Sequence, residues 1–280
     1  MGLSRDEVLE QARAWAWVPP DAVDEVTPEY RYVRYPSRTS VQWSQTDRPA
    51  DELITELLAR VARDTRPQLR WWVSDATRPE DTEAVLARRG FVQVETVEVL
   101  ARELAAAGEG TLPDLDVPPA VIIVPVVDEP TLRLAAALDA EVFEWAPMTE
   151  AQAVAELDDV QRGLATGHWR VLRMVAVLDG EPVGTAGSTL AGAAVRLWGA
   201  GVLPAARGRG VYRALLAARL RWAVEEGATM ALVKGRTVTS APVLRRAGFA
   251  SYGQERCWEW TGPASTSRSP TGPVSPATYG

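Results

Sequence analysis

A glycine turn set between a strand and a helix, with no acid nearby, narrows the possible folds more than any other stretch of this chain. Arg207-Gly208-Arg209-Gly210 lies at the centre of the stretch from Ala194 to Gly227. Upstream, Val195 to Leu203 reads as a strand whose glycines suggest a bulge or a close backbone approach, and Pro204 ends it. Downstream, Val211, Leu215, Ala218 and Trp222 recur at helical spacing, and Gly227 is placed to stop that helix. Glycines at a helix N-terminus leave backbone N–H groups unobstructed, and the helix dipole adds positive potential. Arg207, Arg209, Arg213, Arg219 and Arg221 are cationic, and no carboxylate occurs between Glu181 and Glu225, in a chain of net charge −7. A surface turn followed by a solvated basic helix would also carry such glycines. Strand, turn, helix and charge together favour an anion site suited to a diphosphate.

The segment from Leu203 to Leu215 resembles the acyl-CoA-binding segment of the GNAT superfamily of N-acetyltransferases, Arg/Gln-x-x-Gly-x-Gly/Ala between the fourth strand and the third helix. Arg207 and Gly210 match, and Tyr212 stands at the last small position. The resemblance covers roughly residues 120 to 260 and implies an α/β (α+β) fold, a mixed central sheet flanked by helices. It implies acetyl-CoA as co-substrate and no metal. Backbone groups of Gly201, Val202 and Leu203 would then hold the pantetheine arm. A free N–H there, that of Val202, would polarise the thioester carbonyl as an oxyanion donor. Around Gly208, the amides of Arg209, Gly210, Val211 and Tyr212, helped by Arg207 and Arg213, would hold the diphosphate.

The acceptor, a primary amine of a small molecule or peptide, would attack the thioester directly, because neither Cys257 nor His168 sits in a recognisable nucleophile setting. Attack needs a neutral amine, and departure needs a proton for the thiolate. The strand from Val195 to Leu203 carries no carboxylate. Glu141 and Glu144 lie where relatives form their acceptor site. Glu144, between Phe143 and Trp145, is the better candidate base, although either can be a solvent-facing helix acid. At the family's usual tyrosine acid stands Leu244, and at its usual asparagine Thr237. Ser240 would relay a proton through water or simply cap its helix. These departures motivate the alternative of a non-catalytic acyl-CoA-binding or interaction protein with the same fold.

A weak internal echo extends the reading to the first half. Val85-Leu86-Ala87-Arg88-Arg89-Gly90-Phe91 resembles Val243-Leu244-Arg245-Arg246-Ala247-Gly248-Phe249, and each is preceded by a helix and a strand in the same order. At 280 residues the chain has room for two domains. The expectation is a duplication: a degenerate copy at 1–105, a linker at 106–119, an acetyl-CoA-binding domain at 120–261 and a disordered Ser/Thr/Pro/Gly tail at 262–280. Where the second copy has its glycine turn, the first has Thr46-Asp47-Arg48-Pro49-Ala50-Asp51, which repels a diphosphate with two carboxylates.

Composition closes off other classes. The acidic balance argues against nucleic acid, so a lone Arg-Gly-Arg-Gly is a poor RNA tract. No apolar run approaches the ~20 residues that span a bilayer. One cysteine and one histidine leave little for disulfides or a metal, and with no signal core a cytoplasmic setting is expected.

Overall fold

The computed structural model describes residues 2–36, 38–64, 67–104, 115–144 and 146–262. Most of the expected linker, and the expected tail beyond residue 262, lie outside the described residues. The first half of the chain runs α1 (Arg5–Ala14), β1 (Val23–Val26), β2 (Tyr30–Arg34), β3 (Thr39–Ser44), α2 (Ala50–Val61), β4 (Leu69–Ser74), α3 (Thr82–Arg88) and β5 (Val92–Glu103). The second half opens with β6 (Val121–Pro125), α4 (Glu129–Phe143), α5 (Glu150–Thr166) and β7 (Val171–Leu178). It continues through β8 (Glu181–Ala191), β9 (Ala194–Val202), a 3-10 turn (Pro204–Ala206), α6 (Val211–Glu225), β10 (Met230–Arg236), α7 (Ser240–Arg246) and β11 (Ala250–Trp260). The fold is the expected mixed α/β arrangement of a central sheet flanked by helices, with one element, β1, that the sequence reading did not anticipate.

The two halves repeat one pairing scheme. β1, β2 and β3 pair antiparallel in sequence, and β3 then pairs parallel with β4 across α2. β7, β8 and β9 likewise pair antiparallel, and β9 pairs parallel with β10 across α6. The Gly-Phe echo has one conformation in both copies. Gly90 and Gly248 each take φ +84°, and the following phenylalanine donates its N–H back into the helix, Phe91 to Leu86 and Phe249 to Leu244. Such a left-handed cap favours glycine and ends the helix where a strand must begin.

The contacts group the chain differently from its sequence order. Of the described residues, 13–98 and 253–262 form one unit, and 2–12 and 99–252 form the other. The physical reason is β11, whose Glu255–Trp260 portion pairs antiparallel with β4, from Glu255↔Ser74 to Trp260↔Leu69. The first unit is therefore closed by a strand that the sequence boundaries assign to the second domain. Its core packs Leu53, Ile54, Leu57 and Val61 of α2 on Val41, Leu69 and Trp71. In the second unit Leu215, Leu216 and Leu220 of α6 pack on Val195 and Leu197 of β9, while α4 and α5 cover Val175 of β7. Both helix rows follow the one-face spacing of an amphipathic helix on a sheet.

Candidate active site

The site lies in the second unit, where β9 and β10 part. Their parallel register holds at Met230↔Ala194, Ala231↔Val195 and Leu232↔Arg196, but β9 runs on to Val202 and β10 to Arg236. On its other edge β9 stays paired with β8, through Thr185↔Gly201 and Gly184↔Val202, with a register shift where Gly199 takes φ +57°. The expected bulge is thus present. Leu203 donates its N–H to the Val183 carbonyl at 2.8 Å, so that amide belongs to the β8 side. Backbone groups alternate sides along an extended strand, so the Val202 N–H turns the other way, toward β10. Of the expected pantetheine and oxyanion donors, Val202 points into the opening and the Leu203 amide does not.

Gly201 is small because α4 comes down on it. A Cβ there would lie 2.5 Å from Val142 Cγ1 and 2.8 Å from Phe143 Cζ. The end of α4 therefore walls the opening on one face. Glu144, the C-cap of α4, has φ 53° and is exposed. Glu141 is exposed as well, and Trp145 lies outside the described residues.

From Val202 the chain turns through Pro204–Ala206 and reaches α6 by way of Gly208 at φ 75° and Gly210 at φ 80°. The first intrahelical bond of α6 runs from the Ala214 N–H to the Gly210 carbonyl. The amides of Val211, Tyr212 and Arg213 precede it, and the first turn holds no acid. This is the form of an anion-binding helix start. The equivalent helix α2 begins after Pro49 with Asp51 and Glu52 in its first turn. Arg207 Nε donates to the Val202 carbonyl at 3.1 Å, which puts its guanidinium at the mouth of the opening. Arg209 pairs with Asp179 at 2.7 Å and Arg213 with Asp116 at 3.4 Å. Arg213 Nε is buried without a hydrogen-bond partner, a donor that a phosphate oxygen could satisfy. The residues present therefore fit a diphosphate.

Tyr212 does not crowd the turn. Its hydroxyl bonds to the guanidinium of Arg219, two turns further along α6, and burial raises its pKa. Arg219 itself is 1 % exposed and also donates to the carbonyls of Leu215 and Gly187. Ser240 accepts the Arg236 N–H on its Oγ at 2.8 Å, a bond that ties the end of β10 to α7 and is not a helix cap, since the N-cap of α7 is Thr239. Leu244 is fully buried and would meet a Cβ on Gly235 at 2.9 Å, so the family's tyrosine position is core here.

One buried cluster escaped the sequence reading. Asp139 of α4 bonds to Arg173 of β7, and Arg173 also pairs with Glu156 of α5 at 2.9 Å. Burial pushes the Asp139 carboxyl up to about 6 in spite of the arginine. Asp139 sits one helical turn before Val142 and Phe143, which cover Gly201. The signal was a lone arginine inside the apolar run Val171-Leu172-Arg173-Met174-Val175, which demands a buried partner. Cys257 is fully buried, and burial raises its thiol pKa, so it is no nucleophile. His168 is exposed. Among the described residues, no group of three or more His, Cys, Asp and Glu side chains could hold a metal, and no helix is long and apolar enough to cross a membrane.

Residues 137–249, from α4 through the Gly-Phe turn after α7, match the model of the family described as Acetyltransferase (GNAT) family. They belong to that family. That family consists of N-acetyltransferases that use acetyl-CoA as co-substrate. Solved structures share the fold over most of its length. A GCN5-related N-acetyltransferase from Kribbella flavida aligns at TM-score 0.60 and 17% identity, covering 95% of this chain and 98% of its own. One from Sphaerobacter thermophilus aligns at TM-score 0.60 and 17% identity, over 92% of this chain and 85% of that one. A tandem GNAT protein from the clavulanic acid biosynthesis pathway aligns at TM-score 0.53 and 16% identity, over 89% and 86%. No curated protein matches the chain by sequence.

Proposed function

We propose that the chain transfers an acetyl group directly from acetyl-CoA to a primary amine of a small molecule or peptide, using the site in its second half. The observation that carries this reading is the opening between β9 and β10, which ends on an acid-free helix start supplied with three arginines. In this reading acetyl-CoA supplies the activated acyl group, and the protein binds and orients it. The amides of Arg209 to Tyr212 with Arg207 and Arg213 hold the diphosphate, and backbone groups of Gly201 and Val202 hold the pantetheine. The Val202 N–H faces the thioester carbonyl and favours charge developing on its oxygen. Phe143 and Val142 shield that side of the opening from water. Glu144, exposed at the end of α4, accepts the amine proton through solvent. Ser240 passes a proton toward the departing thiolate.

We assign the first half, 1–105, as a degenerate copy, joined through 106–119 to the coenzyme-binding half at 120–261. Three features of the first half support this. Its strands β3 and β4 share a register only at Thr39, Ser40 and Val41, but the gap beyond is bridged. The Arg78 N–H donates to the Ser44 carbonyl and the Thr46 N–H to the Arg78 carbonyl, both at 3.3 Å. The Trp71 indole reaches Ser44 Oγ at 3.2 Å. Arg48, the cation of its turn, is held by Glu29, Glu52 and Glu56. A cytoplasmic setting and a metal-free mechanism complete the proposal.

The test is release of free CoA thiol from acetyl-CoA across a panel of primary amines and peptides. Thiol release that depends on a particular amine supports the proposal. Tight acetyl-CoA binding with no amine-dependent release from any acceptor would overturn its catalytic part and leave a coenzyme-binding protein, the outcome that Leu244 in place of a hydroxyl acid motivates.

A further inference from the structure

The residues just before β6 lie on the diphosphate loop. Leu115 is 9 % exposed and belongs to the core around α6. Asp116 follows in the left-handed region, at φ 47°, an uncommon conformation for a residue with a side chain. That turn brings its carboxylate to Arg213. Pro118 then packs directly on Gly210, where a Cβ would lie 2.6 Å from Pro118 Cδ. The Val121 N–H closes the turn by donating to the Pro118 carbonyl at 3.1 Å. The segment is thus pinned at Leu115 and at Val121, and between those pins it touches two of the residues assigned to the diphosphate.

We propose that residues 115–118 form a strap over the diphosphate loop that acetyl-CoA displaces from Arg213 and Gly210 as it binds, so that Asp116 sets the coenzyme affinity. The proposal rests on the assignment of the loop from Arg207 to Arg213 to the diphosphate. A guanidinium engaged by Asp116 is drawn away from a phosphate, and a carboxylate beside the helix start repels one. The contact is built to yield. The Asp116 side chain is 91% exposed and that of Arg213 43%, so water and salt screen the pair. Asp179 on Arg209 repeats the arrangement from the β7–β8 turn. Two aspartates therefore hold two loop arginines, and the coenzyme must outcompete both.

The experiment is acetyl-CoA titration of the full-length protein by calorimetry, at low and at high ionic strength, with Asp116→Asn beside the wild type. Asp116→Asn is expected to bind about two- to five-fold more tightly at low salt, the range of an exposed pair, with the difference closing at high salt. Hydrogen exchange at residues 116–121 is expected to quicken when acetyl-CoA is added, as the strap leaves its seat. Unchanged or weaker binding by Asp116→Asn, or slower exchange in that segment on binding, overturns the strap. Arg213→Glu separates the two levels. If Arg213→Glu binds like the wild type, the loop assignment falls and the strap with it. If it loses binding while Asp116→Asn is neutral, only the strap falls.

Discussion

Gly210 carries two constraints at once, a left-handed backbone and a proline against its Cα hydrogen. A side chain there is strained by about 1–2 kcal/mol from the backbone alone. Gly210→Ala is therefore expected to lower stability by about 1–3 kcal/mol once the contact with Pro118 is added. It should also weaken acetyl-CoA binding by displacing the first amides of α6. Denaturant unfolding and calorimetry would check both. Asp139 gives a pH signature. Its folded carboxyl titrates at about 6, above the ordinary value of 3.8, so the folded state holds its proton more firmly than the unfolded chain. Stability from this group is fully present below the unfolded value and is lost as pH rises through the folded one. Urea midpoints of the wild type and Asp139→Asn, compared from pH 4 to 7, should differ in that sense, the wild type losing more stability than the variant as pH rises. Parallel pH profiles would remove Asp139 as the source.

At the scale of elements, the two parallel strand pairs begin alike and end differently. Both register at three positions, but β3 is rejoined through Arg78 and the Trp71 indole donates to Ser44 Oγ, whereas β9 and β10 share no register beyond Leu232↔Arg196. Trp71 is fully buried, so Trp71→Ala is expected to cost about 3–5 kcal/mol of stability. Residual folded protein should still bind acetyl-CoA with wild-type affinity, since the coenzyme is assigned to the other half. Loss of binding in a folded Trp71→Ala sample would place coenzyme chemistry in the first half. The strand, turn and helix of the site were legible because each rests on local signals: the run from Val195 ended by Pro204, the glycines at 208 and 210, and the row Val211, Leu215, Ala218, Trp222. The Gly-Phe cap was legible for the same reason, since a left-handed C-terminal turn favours glycine. Other features left no local trace. Nothing in Thr46-Asp47-Arg48 shows that Arg78 returns to zip that strand end. Nothing around Pro118 shows that it comes to rest on Gly210. Leu203 read as a pantetheine donor because the sequence does not say which edge of β9 carries β8.

At the scale of the whole molecule, the sequence boundaries and the contacts make opposite statements about which pieces fold alone. A boundary at 105 makes 1–105 a self-sufficient domain. The contacts instead close that unit with β11, and fasten the closure with Arg70 and Glu259, paired at 2.6 Å with side chains 6% and 5% exposed. Removing one member of a buried pair leaves an uncompensated charge and costs about 3–5 kcal/mol. Glu259→Ala, a change at the far end of the chain, should therefore destabilise residues 13–98. Hydrogen exchange should show faster opening of β4 and α2. The same logic governs fragments. A piece ending at residue 105 leaves β4 with a bare edge, and a piece starting at residue 120 carries β11 without its partner, both of them invitations to aggregation. Each fragment alone is expected to aggregate or to unfold without a sharp transition, and mixing the two should restore a cooperative transition and acetyl-CoA binding. If the fragment 1–105 unfolds cooperatively by itself with β4 amides protected, β11 is not what completes that unit. The sequence boundary would then be the physical one.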